Sequence, residues 1–273
     1  PNITARRPHE RTAQKAVSLR KDLQTRPRQR GLAVHFARMS EAKILLADDD
    51  EELCQLLRDF LARDGFAVDV SHDGDEALAR ARDGDYDALI LDVMLPGRSG
   101  LDLLRELRRD AALPVLMLTA LGEDLDRILG LELGADDYVP KPWNPREIAA
   151  RLRAILRRTR GDGDATRLTD ISVGPVSLRA ASRSATLRGE ALTLTGTEFN
   201  ILAVLLREAG KVVSKETLSQ DVLGRPLGPF DRSIDVHISK LRRKLGEAAD
   251  GESMIGTVHR GGYVFRVVGD TGH

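Results

Sequence analysis

From Lys43 to Arg158 the chain alternates strand-length apolar runs with amphipathic helical stretches, and nothing else in it restricts the fold as much. The runs are Lys43–Ala47, Phe66–Val70, Ala88–Leu91, Pro114–Leu118 and Asp137–Pro140. Between them, Leu53, Leu56, Leu57, Phe60 and Leu61 recur at helical spacing, and Gly65 ends that stretch. Short helices follow over Gly74–Arg82, around Leu101, Leu104 and Leu107, and over Leu125–Leu133. A longer one over Pro145–Arg158 carries Ile148, Leu152 and Ile155. Five strand–helix units in succession predict a parallel sheet with helices on both faces, because right-handed crossovers place them there.

In such sheets ligands bind beyond the carboxyl ends of the strands. Strand one runs into Asp48-Asp49-Asp50, strand three into Asp92, strand four into Thr119 and strand five into Lys141. Pro96 and Gly97 then turn the chain after Asp92. Each residue alone has a plain explanation: an Asp after a strand is usually a cap, and a Lys is usually solvated. Four at four strand ends are harder to dismiss. With strand order 2-1-3-4-5, Asp48, Asp49 and Asp92 converge, and close carboxylates repel unless a cation or protons intervene. Their oxygens suit Mg²⁺. Asp92 is then a candidate nucleophile, since carboxylates form acyl phosphates. Lys141 and the cation would offset phosphoryl charge, and the Thr119 hydroxyl would bond a phosphoryl oxygen.

After a polar, glycine-containing linker over 159–168 the periodicity changes. Short strand-like pieces occupy Ile171–Val173, Val176–Leu178, Ala185–Leu187 and Ala191–Leu194. Thr195-Gly-Thr-Glu198 matches a capping box ahead of Phe199, Leu202, Leu205 and Leu206. Ser214 is placed to cap a second helix. Asp231 is placed to cap a third, with Ile234, Ile238, Leu241 and Leu245 on its core face. Met254–Val258 and Gly262–Val267 read as a hairpin. Strands, three helices and a hairpin predict an α+β unit of winged-helix type. Arg232, Ser233, Val236, His237, Lys240, Arg243 and Lys244 fall largely off the third helix's apolar stripe, as on a recognition helix. Glu190 and Glu198 are expected to be cap and surface residues.

The formal charge is zero but unevenly spread. Residues 1–38 carry 10 Lys/Arg against 2 Asp/Glu, residues 39–160 carry 17 against 26, and residues 161–273 carry 15 against 14. The acidic middle suits a metal cation. The basic start shows no period and reads as a disordered tail or a nucleic-acid-binding arm. Met39 stands just ahead of the first strand, which favours a third reading, a spurious extension. The one cysteine, Cys54, excludes an internal disulfide and a Cys-based metal site, and fits a reducing, cytoplasmic setting. No apolar run approaches the ~20 residues of a membrane helix, and no signal peptide is evident.

The stretches Ile44-Leu-Leu-Ala-Asp48-Asp49-Asp50, Leu91-Asp92-Val-Met-Leu-Pro96-Gly97-Arg-Ser-Gly100, Leu118-Thr119-Ala120 and Gly134-Ala-Asp-Asp-Tyr138-Val-Pro-Lys141-Pro142 carry a resemblance. Residues 42–158 resemble the flavodoxin-like, doubly wound (βα)5 receiver domain of two-component response regulators. Residues 169–268 resemble the winged helix-turn-helix output domain of the OmpR/PhoB family. The resemblance implies that Asp92 accepts phosphate from a sensor histidine kinase. It implies Mg²⁺ on Asp48, Asp49, Asp92 and the Met94 carbonyl, with Asp48 acting partly through water, and Thr119 and Tyr138 as the switch pair. A cis Lys141–Pro142 bond is expected. Homodimerisation is implied on a face with candidate pairs Arg127–Glu147, Asp137–Arg151 and Glu132–Arg153. Promoter DNA would meet Arg232, Ser233, Val236 and His237 at base edges, Lys240 and Arg242 at phosphate or bases, and Arg260 in the minor groove. RNA polymerase is the further partner implied.

Two departures stand out. Trp143 replaces the commoner Phe, and His259-Arg260-Gly261 follows Thr257-Val258 where the family has Arg-Gly directly. The run Pro229-Phe-Asp-Arg-Ser-Ile-Asp-Val-His237 is similar to that of the CpxR-type envelope-stress subgroup. The alternative of an aspartate-nucleophile phosphatase expects a second Asp two residues after the nucleophile, where this chain has Met94, and no G-x-x-x-x-G-K-[ST] loop is present. A phosphorylation-independent DNA-binding protein with a vestigial receiver would not need the intact acidic set. The expected function is therefore a transcription regulator and not an enzyme.

Overall fold

The structure is a computed structural model that describes residues 42–119, 124–160, 169–228, 231–248 and 250–267. The readings of residues 1–38, and of the linker over 161–168, lie outside it.

The first unit runs β1 (Ala42–Ala47), α1 (Glu51–Arg63), β2 (Phe66–Ser71), α2 (Gly74–Asp83), β3 (Ala88–Asp92), α3 (Gly100–Leu107), β4 (Val115–Thr119), α4 (Asp124–Leu133), β5 (Asp137–Pro140) and α5 (Pro145–Arg160). All five strands are parallel, in the order β2-β1-β3-β4-β5. Strand alternation divides the core into two layers. Ile44, Leu46, Ala88, Ile90, Leu116 and Leu118 pack with α1 and α5 residues such as Leu57, Leu61, Ile148 and Leu152. Leu45, Leu89, Leu91, Val115 and Met117 pack with Leu78, Leu103, Leu104 and Leu107 of α2 and α3. Strand β3 is buried along its whole length, as a central parallel strand must be. Helix α5 extends to Arg160, two residues into the expected linker. Strand β4 begins after Pro114, which has no N–H for a ladder but accepts from Leu89 N at 2.8 Å through its carbonyl.

The second unit has an antiparallel sheet β6 (Ile171–Val173), β7 (Val176–Arg179), β8 (Ser184–Leu187) and β9 (Glu190–Leu192). Three helices follow: α6 (Gly196–Arg207), α7 (Lys215–Leu218, continued by a wide turn over Ser219–Leu223) and α8 (Ser233–Leu245). The hairpin β10 (Ile255–Val258) and β11 (Gly262–Phe265) completes it. The core gathers Phe199, Leu202, Leu206, Leu218, Ile234, Ile238, Leu241, Leu245 and Phe265. Strand β9 ends earlier than expected because Thr195 enters the capping box: Glu198 N donates to Thr195 Oγ1 at 3.3 Å and Thr195 N to Glu198 Oε2 at 2.9 Å. Ser214 caps α7 as read, accepting from Thr217 N at 3.0 Å. The cap expected at Asp231 is displaced by one position. Arg232 holds the N-cap place without a side-chain bond, and Asp231 Oδ1 accepts instead from Ser233 N at 2.9 Å. Gly262 sits at φ +127°, where a Cβ would lie 2.1 Å from the Val213 carbonyl, so the wing closes on α7's approach only with glycine there.

Candidate functional site

At the carboxyl edge of the first sheet, oxygens of Asp48, Asp49 and Asp92 all lie within 4.8 Å of one another. Asp48 and Asp92 are buried and Asp49 is exposed. The Asp48 carbonyl accepts from Cys54 Sγ at 3.4 Å and from His72 Nδ1 at 2.8 Å. Asp50 leaves the cluster to cap α1, accepting from Leu53 N at 2.9 Å. Behind Asp92, Gly100 N donates to the Val93 carbonyl at 2.9 Å. A Cβ at Gly100 would lie 1.9 Å from the Asp92 carbonyl, so the tight approach of α3 to the acid depends on that glycine. The Met94 side chain points outward and is exposed.

Lys141, delivered by β5 through a cis bond to Pro142, closes the cluster. Its Nζ donates to Asp48 Oδ2 and Asp92 Oδ2, both at 2.9 Å. Its N–H donates to the Thr119 carbonyl at 2.6 Å, tying the ends of β4 and β5 together. Burial pushes the Asp92 carboxyl above its ordinary range, the Lys141 hydrogen bond opposes this, and the Asp48 charge adds to the rise. Burial pulls the Lys141 ammonium down, but the hydrogen bonds and charges of Asp92 and Asp48 outweigh it and the net shift is up. One cation thus serves two buried carboxylates, with a third at the rim. Hard oxygen donors in that number suit Mg²⁺ better than a soft metal. Cys54 is no nucleophile: burial, then the Asp48 and Asp50 charges, push its thiol up to about 12. Thr119 and Tyr138 are both buried, on β4 and β5.

The helix expected to read DNA departs from its expected setting. Ser233, Val236, His237 and Lys240 were read as facing away from the core stripe, yet all four are buried. A second face of α8 packs on the first unit. Val236 joins the core layer containing Leu131 and Tyr138. Lys240 Nζ donates to the Leu131 carbonyl at 3.1 Å, and Arg243 pairs with Glu132. Among the described residues neither ring nitrogen of His237 has a hydrogen-bond partner. Arg232 and Arg260 are exposed, the latter at φ +57° in the wing turn. Arg242 donates to the Ile255 carbonyl at 2.9 Å and braces the hairpin. Glu198, expected at the surface, is buried and pairs with Lys240 at 3.3 Å and Lys244 at 2.6 Å.

The face expected to dimerise is engaged within the chain. Asp137 accepts from Arg151 Nη1 at 3.0 Å within the chain, and also from Arg225 Nη2 at 2.9 Å. Glu147 pairs with Arg151. Within the chain Glu132 pairs with Arg243 and Arg153 with Asp64. The Arg127 side chain lies outside the described residues. Residues missed in the sequence complete the contact: Thr197 Oγ1 donates to Asp136 Oδ1 at 3.1 Å, and Asp136 is held by Arg108 at 3.5 Å. Nothing local in the sequence marks Arg225 or Thr197, because their partners are 88 and 61 residues away.

Family models match both units: "Response regulator receiver domain" over residues 44–153 and "Transcriptional regulatory protein, C terminal" over 189–265. The transcriptional regulatory protein CpxR of Klebsiella pneumoniae is 52% identical over 227 residues, covering 81% of this chain and 97% of its own. CpxR of Escherichia coli K12 is 50% identical over 230 residues with the same coverage. A solved structure of a RitR mutant matches with TM-score 0.65 at 27% identity, over 82% of this chain and 98% of that one. The receiver and DNA-binding modules, joined in this order at this level of identity, place the chain in the OmpR/PhoB family of two-component response regulators, as a CpxR-like transcriptional regulator.

Proposed function

We propose that Asp92 is the phosphoryl acceptor of this regulator and that its modification governs promoter binding. The observation that supports this most is the Lys141 ammonium 2.9 Å from both Asp48 and Asp92 at the sheet edge, beside exposed Asp49. An Asp92 carboxylate oxygen forms a bond to phosphorus as the phosphorus–nitrogen bond of a kinase phosphohistidine breaks, the electron pair departing on the imidazole. Lys141 holds Asp92 in place and offsets charge on the transferring group. Asp48, Asp49, Asp92 and the Met94 carbonyl are the groups that would hold Mg²⁺, which supplies further charge neutralisation when bound. The Thr119 hydroxyl and Tyr138 then respond to the roughly two added negative charges. The output unit, residues 169–268, binds double-stranded promoter DNA through α8 and the wing, using Arg232, Ser233, Val236, His237, Lys240, Arg242 and Arg260. The receiver, residues 42–158, forms a homodimer through the α4–β5–α5 face. Among the described residues no helix is long and apolar enough to cross a membrane, and the setting we infer is the cytoplasm, where RNA polymerase is the downstream partner.

The test is mass spectrometry of the intact protein with Mg²⁺ and a small acyl-phosphate donor, beside DNA binding by fluorescence anisotropy on a selected site. Wild type should gain one hydroxylamine-labile phosphoryl group and bind the site more tightly. Asp92→Asn should do neither. A labile phosphoryl group on Asp92→Asn would overturn the assignment.

A further inference from the structure

In this closed arrangement Arg225 clamps Asp137 of β5 to Ser233 of α8, at 2.9 and 3.1 Å. Further along α8 lies a cavity of about 550 Å³, a size that suits a small ligand. Its walls are the loop after α3, the end of α4, the Thr193–Thr195 corner and the second half of α8. Five cations line it, Arg108, Arg109, Lys240, Arg243 and Lys244, against two acids, Asp110 and Glu132. Both acids are already paired, Asp110 with Arg82 at 3.0 Å and Glu132 with Arg243. Arg108 is committed to the fold. It donates to the Gly134 carbonyl at 3.0 Å and the Ala111 carbonyl at 3.3 Å, and pairs with Asp136 at 3.5 Å. Lys240 and Lys244 differ, because they share one buried carboxylate, Glu198, at 3.3 and 2.6 Å. Two ammonium groups on one acid leave an excess positive charge around a carboxylate shut off from water, and an anion offsets it. An ammonium carries three N–H donors. Lys240 directs one to the Leu131 carbonyl and one to Glu198, and Lys244 one to the Thr193 carbonyl and one to Glu198. Among the described residues each keeps one donor over. Nearer solvent, Arg109 and Arg243 are exposed, each with a single acid, Glu106 and Glu132. Ala111, Ala112, Leu133 and Leu194 add apolar surface to the lining.

We propose that this cavity binds a small organic polyphosphate of the nucleoside diphosphate class. The spare donors of Lys240 and Lys244 answer the charge of one end of a pyrophosphate, and the guanidinium forks of Arg109 and Arg243 that of the other. The apolar residues answer an organic body. An inorganic ion would meet the cations but leave the apolar lining bare and most of the space empty. The occupant touches both units, because the α3 and α4 walls belong to the receiver and the others to the output unit. The site is separate from the acceptor pocket, where Asp48, Asp49 and Asp92 repel an anion when no cation is bound. It therefore does not depend on the reading of Asp92.

The test is isothermal titration calorimetry of the full chain in EDTA at physiological ionic strength, with ADP and inorganic pyrophosphate as probes. ADP should bind at one site per chain, and pyrophosphate more weakly at the same site. Arg109→Ala/Arg243→Ala should weaken both by about tenfold or more, the usual effect of losing charge-assisted hydrogen bonds. Arg243 also pairs with Glu132, so a second variant leaves every charge in place. Ala112→Trp puts a large side chain at an exposed position of the lining and should abolish ADP binding, while the melting temperature stays that of wild type. No saturable heat with either probe would overturn the site. Equal affinity of wild type and Ala112→Trp for ADP would also overturn it, since the anion would then sit on cations elsewhere, such as those of the DNA-reading surface. Equal affinity of wild type for ADP and pyrophosphate would overturn the organic class of the ligand.

Discussion

Asp92 and His237 are both buried and titratable, and their shifts run in opposite directions with different consequences. Burial first, then the Asp48 charge, raise Asp92 against the Lys141 hydrogen bond, so its carboxylate is harder to form in the folded receiver than in the unfolded chain. An acid raised on folding stabilises the fold below its unfolded pKa and loses that contribution as pH rises through the folded value. At neutral pH, without divalent cation, the Asp92 carboxylate is therefore a cost, although Lys141 reduces it. Asp92→Asn should raise the receiver's melting temperature at pH 7.5 in EDTA, by a few degrees. The gap to wild type should narrow as Mg²⁺ is added, because a cation bound only by the folded state adds stability by mass action. A calorimetric scan showing the same gap with and without Mg²⁺ would count against a cation on this set. His237 runs the other way. Full burial first, then the Lys240 charge, push it down to about 4, against the opposing charges of Glu198, Asp136 and Asp137. Freed into water its value is about 6.5. The closed form therefore binds fewer protons. Its advantage is complete above pH 6.5 and falls by up to about tenfold per unit below that. Lowering pH from 7.5 to 5.5 should increase the radius of gyration of the unphosphorylated protein by small-angle scattering, and His237→Leu should suppress the change.

Elements were the level at which the sequence was most readable. Each apolar run became a strand, because a strand buried on both faces has to be apolar throughout, and Ala88–Leu91 is so in the structure. The acidic pocket was legible for a related reason: topology alone fixes which strand ends meet, and β1 and β3 are neighbours. The capping box at Thr195 was also local and was found. Thr195→Ala should destabilise the output unit by about 1 kcal/mol in urea unfolding, leaving the receiver transition unmoved. The second buried face of α8 was not legible. Helical periodicity marked Ile234, Ile238, Leu241 and Leu245, but Ser233, His237 and Lys240 are polar types that carry no burial signal. Lys240 can be buried because the receiver supplies Leu131 O and Glu198 lies close at hand. Glu198 was misjudged for the same reason: its cap role is local, while its burial depends on Lys240 and Lys244 of α8.

At the scale of the whole molecule, Asp137 is asked to do two things that cannot coincide. It holds Arg225 within the chain and is expected to serve the dimer face. Asp137→Ala should therefore separate two behaviours that normally rise together. DNA affinity of the unphosphorylated monomer should increase several-fold in anisotropy, while phosphodonor-dependent dimerisation weakens in sedimentation equilibrium. A variant in which both fall together would mean that Asp137 serves the fold of the receiver and not the choice between partners.

The clamp between β5 and α8 also sets how the protein counts itself. A tethered output unit confronts the receiver at an effective concentration on the order of millimolar, whatever the abundance of the chain. A second receiver competes for the same face only at its actual concentration. If phosphorylation opens the chain and receivers pair through this face, modification of a few scattered copies would open them without giving them partners, and each could close again. On that reading pairing would outrun reclosure only when many copies are both modified and abundant, which would make the regulator a coincidence detector for signal strength and its own supply.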